Sequence, residues 1–133
     1  MQALVIHDSF LTRTILSSIL VEQNFDVRRA KGEADALALL DAGLQPDVVL
    51  LHLNLPGPSA PALLAEIRRR CRTQGVLVGD EADAGLLDQA LLRGADAWLH
   101  CPFTAASVEA VLQRLGLAGG RAQQAALLLG GRF

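Results

Sequence analysis

At 133 residues and 14.1 kDa the chain has the length of one domain, and 51% apolar against 20% charged residues gives it enough apolar surface for a core. A formal charge of -2, from 12 basic and 14 acidic residues, lacks the basic excess that nucleic-acid binding uses. No apolar run approaches the roughly 20 residues needed to span a bilayer.

In chain order, short apolar runs alternate with longer stretches of helical period, the pattern of a parallel sheet covered by helices on both faces. The first strand is expected over residues 3–6, starting too close to Met1 for a basic leader region to precede it. Two cysteines, Cys71 and Cys101, make no disulfide framework, so a cytoplasmic protein without a membrane partner is expected. A helix follows with Ser9 as N-cap and Leu11, Ile15, Ile19 and Leu20 sharing a face. Strand two covers Asp26–Ala30. The second helix has Glu33 and Asp35 in its first turn, Ala36, Leu37 and Leu40 on one face, and Gly43 as its stop. Strand three covers residues 48–51, and the third helix starts near Pro61 and carries Leu63, Leu64 and Ile67 to about Cys71. Strand four covers 76–78, a fourth helix 83–93 ends at Gly94, and strand five covers 97–99. The last of these helices opens at Thr104 and carries Val108, Val111, Leu112 and Leu115.

Residues 1–115 are thus one domain, and 116–133 a glycine-rich linker with a short helical tail over 121–129. Ala122, Ala125, Ala126 and Leu129 recur at helical spacing in that tail, with Leu127 and Leu128 beside them. A free nine-residue segment would not leave that much apolar area in water, so it is expected to cover its own domain, to meet another chain, for instance in a symmetric dimer, or to continue into something further.

Several motifs carry a resemblance together. They are Leu4-Val5-Ile6-His7-Asp8-Ser9 with Arg13; Pro46-Asp47-Val48-Val49-Leu50-Leu51-His52, followed by Leu53-Asn54-Leu55-Pro56; Leu63-Leu64-Ala65-Glu66-Ile67-Arg68; Ala90-Leu91-Leu92-Arg93-Gly94-Ala95-Asp96-Ala97-Trp98-Leu99; and Pro102-Phe103. Over about residues 3–115 the chain resembles the receiver domain of response regulators. The resemblance implies a doubly wound, five-stranded parallel sheet of the flavodoxin type and a two-component signalling role rather than an enzyme. Its working positions would sit at the carboxyl ends of the strands.

In that family two acids after the first strand hold Mg2+, and an aspartate ending the third strand accepts the phosphoryl group. A Ser or Thr after the fourth strand and a lysine before Pro-Phe complete the set. Here the corresponding positions read His7 and Asp8, His52, Gly79 and Cys101. A one-residue gap would exchange Gly79 for Asp80, and neither carries a hydroxyl. Mg2+ takes oxygen ligands, so two imidazoles in place of carboxylates remove most of its site. Cys101 supplies no positive charge and Gly79 no side chain for phosphoryl oxygens. The expectation is a phosphorylation-independent receiver that works as a protein-interaction module and carries no cofactor.

The alternative is a receiver that senses a metal or small ligand in the strand-end crevice. His7, Asp8, His52, Asp80, Cys101 and also His100 end neighbouring strands, and imidazole, thiolate and carboxylate suit Zn2+ better than Mg2+. The plainer reading is a neutral pocket without an ion, in which Cys101 is a core thiol. Arg68, Arg69, Arg70 and Arg72 read as the solvated face of the third helix. Trp98 occupies the family's switch-aromatic position, on the surface of fourth helix, fifth strand and fifth helix through which partners dock; an exposed tryptophan there would anchor an interface, alongside Leu127 and Leu128 of the tail.

Overall fold

The computed structural model describes residues 1–55, 57, 59–80, 85 and 94–117. The helix expected over 83–93, apart from Gly85, and the tail with Leu127 and Leu128 lie outside the described residues. The elements in chain order are β1 (Gln2–Ile6), α1 (Phe10–Glu22), β2 (Asp26–Ala30), α2 (Glu33–Asp41), β3 (Val48–His52), α3 (Ala60–Arg70), β4 (Gln74–Gly79), β5 (Ala97–His100) and α4 (Ala105–Arg114). All neighbouring strands pair in parallel, in the order β2-β1-β3-β4-β5.

Burial of both sheet faces explains why β1, β3 and β4 read as unbroken apolar runs. Alternate residues feed two cores. Ala3, Val5, Val48, Leu50, Val76, Val78 and Leu99 pack with Leu16 and Leu20 of α1 and with Val108 and Leu112 of α4. Leu4, Ile6, Val49, Leu51 and Leu77 pack on the other face with Ala36 and Leu40 of α2 and with Leu63, Leu64 and Ile67 of α3.

Helix starts follow local chemistry. The side chains of Ser9 and Ser59 accept the backbone N–H groups of Thr12 and Ala62, both at 3.3 Å, and Thr104 and Ser107 close a reciprocal capping box. Gly43 follows α2 with φ +107°, the left-handed position at which a helix stops most easily on glycine. Pro61 is the second residue of α3 rather than its first, because Ser59 is the cap.

The buried face of α1 departs from expectation. Leu11 and Ile15 are 66% and 46% exposed, while Arg13, Leu16, Ser17 and Leu20 are buried. Two polar residues therefore stand in the buried stripe. The Arg13 guanidinium donates to the His7 carbonyl at 2.6 Å, and the Ser17 hydroxyl donates to the Arg13 carbonyl at 2.6 Å. Each polar group carries its own partner inward, which is the condition for burying it.

The arginine run is not simply a solvated face either. Arg68 bonds the Gly94 carbonyl and the Asp96 carboxylate, and Asp96 also accepts the Gly75 N–H at 2.8 Å. Those bonds tie α3 to the start of β4 and the approach to β5. Arg70 pairs with Asp41 at 3.1 Å and with Glu66 at 2.9 Å, which links α3 to the end of α2. Arg69 and Arg72 are exposed, as expected.

Candidate functional site

The strand order reverses direction between β1 and β3, and an open parallel sheet forms its crevice outside the carboxyl ends of the strands at such a point. β1 ends at Ile6 and delivers His7 and Asp8 there; β3 ends on His52. Register places Ile6 beside Leu51, so the residues following each strand emerge side by side.

The loop from β1 to α1 is held from several sides. His7 N–H donates to the Ala30 carbonyl at 3.1 Å, and the His7 carbonyl takes the Arg13 guanidinium. Ser9 N–H donates to His7 Nδ1 at 3.0 Å. That bond puts the lone pair on Nδ1 and the proton on Nε2 of a neutral ring. The His7 and His52 rings stack with centroids 3.9 Å apart and planes 14° from parallel. Asp8 Oδ1 lies 3.0 Å from His52 Nδ1 and 3.4 Å from His7 Nδ1. Since His7 Nδ1 is already an acceptor, the His52 Nδ1–H is the donor that satisfies Asp8.

Electrostatics follows from this arrangement. Burial, then the charge of His52, push the His7 imidazole down to about 4, with Asp8 acting against them and Arg13 adding to the fall. Burial pulls Asp8 upward, but its hydrogen bond with His52, a backbone bond and the two imidazoles outweigh it and hold the carboxyl below its usual range. Asp8 is therefore a carboxylate at neutral pH, bonded to the His52 imidazole.

The remaining sequence candidates separate from this cluster. Among the described residues, His7, Asp8 and His52 each offer a donor atom within 4.8 Å of the others, and neither Asp80 nor Cys101 joins them. Gly79 ends β4, with its carbonyl accepting the Cys101 N–H at 2.7 Å. Cys101 is half-buried against the α1–α4 core and is followed by a cis bond to Pro102. Trp98 is half-buried, packs against the α2–α3 core, and meets the His100 ring at 4.3 Å with planes 51° apart. Sequence reasoning did not find the imidazole stack or the anchoring of His7 by Arg13. Arg13 stands beside the first motif, but no spacing rule says that a long cation will turn inward to a carbonyl.

The family model described as Response regulator receiver domain matches residues 3–113. Among solved structures, the receiver domain of NtrX from Brucella abortus is 25% identical, with a TM-score of 0.76 over 86% of this chain and 98% of that one. NtrX from the same organism gives 25% identity and a TM-score of 0.79; the match covers 96% of this chain but only 29% of NtrX. The chemotaxis response regulator CheY4 of Vibrio cholerae is 23% identical, with a TM-score of 0.74 over 86% of this chain and 97% of that one, a likeness of fold. No curated protein matches the chain. No helix among the described residues is long and apolar enough to cross a membrane.

Proposed function

The chain belongs to the response regulator receiver domain family, and from that premise we propose that it is a pseudo-receiver, which signals through protein contacts without being phosphorylated. The observation that carries this reading is His52, bonded to Asp8 and stacked on His7 where the acceptor aspartate is expected. An imidazole cannot form an acyl phosphate. Asp8 is left as the one carboxylate of the cluster, and the hydroxyl and lysine positions hold Gly79 and Cys101. A phosphoryl group would find neither its metal nor its cationic and hydroxyl partners.

Acetyl phosphate and beryllofluoride, each with Mg2+, are expected to leave the mass and the tryptophan fluorescence of the chain unchanged. A gain of one phosphoryl group that disappears in His52→Ala would overturn the reading. His52→Asp alone should remain inert, because Gly79 and Cys101 still fail to hold the phosphoryl oxygens.

In this reading the partner is a protein or a second copy of the chain. It docks on the face formed by the region after β4, by β5 with Trp98, and by α4, with the tail beyond residue 115 and its Leu127 and Leu128 contributing. The apolar spacing of the tail supports it, as does the half-exposed Trp98. Sedimentation should show a smaller species for a chain ending at Leu115 than for the intact chain. Equal monomeric behaviour at micromolar concentration would remove the tail from the interface.

A further inference from the structure

We infer that His7, Asp8 and His52 form a binding site for a divalent transition ion of the Zn2+ class, in the crevice where other receivers hold Mg2+. The inference takes its location from the pseudo-receiver reading but does not depend on whether the chain is ever phosphorylated.

The argument begins with distances. Asp8 Oδ1 stands 3.0 Å from His52 Nδ1 and 3.4 Å from His7 Nδ1. Ligand atoms bound to one Zn2+ at roughly 2.0–2.1 Å are separated by about 3.3 Å in a tetrahedron. Two edges of such a polyhedron are therefore already present without an ion. Three residues contribute one donor each within 4.8 Å, so closing the third edge needs movement on the scale of a side-chain rotation. Three protein donors with an open fourth position for water is a common way to hold Zn2+.

Donor type selects the ion. Two imidazoles and one carboxylate favour zinc or its first-row neighbours, and a set with one oxygen is poor for Mg2+ or Ca2+. The scaffold also fixes the backbone that carries one of the ligands. His7 is held at its backbone by Ala30 and Arg13, while Asp8, with a side chain 45% exposed, leaves the cluster open to solvent on one side. Binding has a definite structural consequence. The ion replaces the proton shared by His52 and Asp8 and the Ser9 N–H that now occupies His7 Nδ1, and the two rings must turn out of their stack to aim their lone pairs at one point.

The test uses the full chain without a histidine tag. Isothermal titration with Zn2+ should give one site per chain, Co2+ should produce visible absorption bands of a low-coordinate ion, and Mg2+ should give neither. The Ser9 amide resonance should shift as the ion displaces it from His7. His52→Ala and Asp8→Asn, both at partly exposed positions and checked for folding by circular dichroism, should weaken Zn2+ at least tenfold. Absence of stoichiometric Zn2+ binding to the intact chain would overturn the inference, as would unchanged affinity in both variants. Binding lost in Cys101→Ser or Cys71→Ser but kept in His52→Ala would put the ion elsewhere and overturn it too. Phosphoryl transfer to His52 would defeat the pseudo-receiver reading and leave these titrations standing.

Discussion

Between pH 6.5 and about 4 the folded chain should lose roughly 3 kcal/mol of stability through His7 alone. Burial is the first cause, with the neighbouring His52 second: together they lower the folded-state titration to about 4, while an unfolded chain leaves the same imidazole near 6.5. Within that window the unfolded state binds a proton that the folded state refuses. Stability must therefore fall as pH falls, starting near 6.5 and levelling off below 4. Asp8, held below its usual range, adds a loss of the same sign at still lower pH. Urea unfolding at pH 7, 5.5 and 4 checks this against His7→Asn, whose amide oxygen can still accept the Ser9 N–H. The variant should lie below the parent at pH 7 and lose less on acidification. Parallel curves for the two would show that His7 does not carry the pH dependence.

Most of the fold is legible in the sequence because it is written in long-range repetition. Two cores on the two faces of one parallel sheet make the middles of β1, β3 and β4 continuously apolar, with polar residues such as Gln2, His52 and Gln74 only at strand ends. Caps were equally legible. Ser9 and Thr104 are short polar residues before an apolar period, and their side chains bond the backbone in the way that such residues do at helix starts.

The crevice was legible by a different route. Nothing in the spacing of His7, Asp8 and His52 brings them together, since 44 residues separate Asp8 from His52; only the parallel pairing of β1 with β3 does. The same logic overreached at Asp80 and Cys101. They follow β4 and β5, one and two strands away from β3, and strand-end position alone cannot say which side chains close the remaining distance. Arg68 departs from the rest of its run for a related reason. Charge counts suggest solvation, whereas Arg68 is drawn down by one carbonyl and one carboxylate that arrive from more than 20 residues away in sequence, at Gly94 and Asp96.

A large effect of a single side chain is expected at Leu16. It is fully buried between α1 and the sheet, packed with Val5, Leu50 and Val78 among others, so Leu16→Ala removes apolar contact and leaves a cavity that a rigid sheet cannot fill. The expected loss is about 2–5 kcal/mol. Leu11→Ala, the same chemical change five residues earlier on the same helix, should stay within about 0.5 kcal/mol, because Leu11 is 66% exposed. Apolar periodicity alone predicts the reverse order, since Leu11, Ile15 and Ile19 form the cleaner apolar series. Arg13 lies in the buried stripe as well: its guanidinium reaches the His7 carbonyl, and helical geometry sets Leu16, Ser17 and Leu20 on the same side. Denaturant midpoints of the two variants measure the contrast directly. Equal losses, or a larger one at Leu11, would mean that α1 sits on the sheet by its other face. The loop carrying His7 and Asp8 would then lose the anchor that aims both residues at His52.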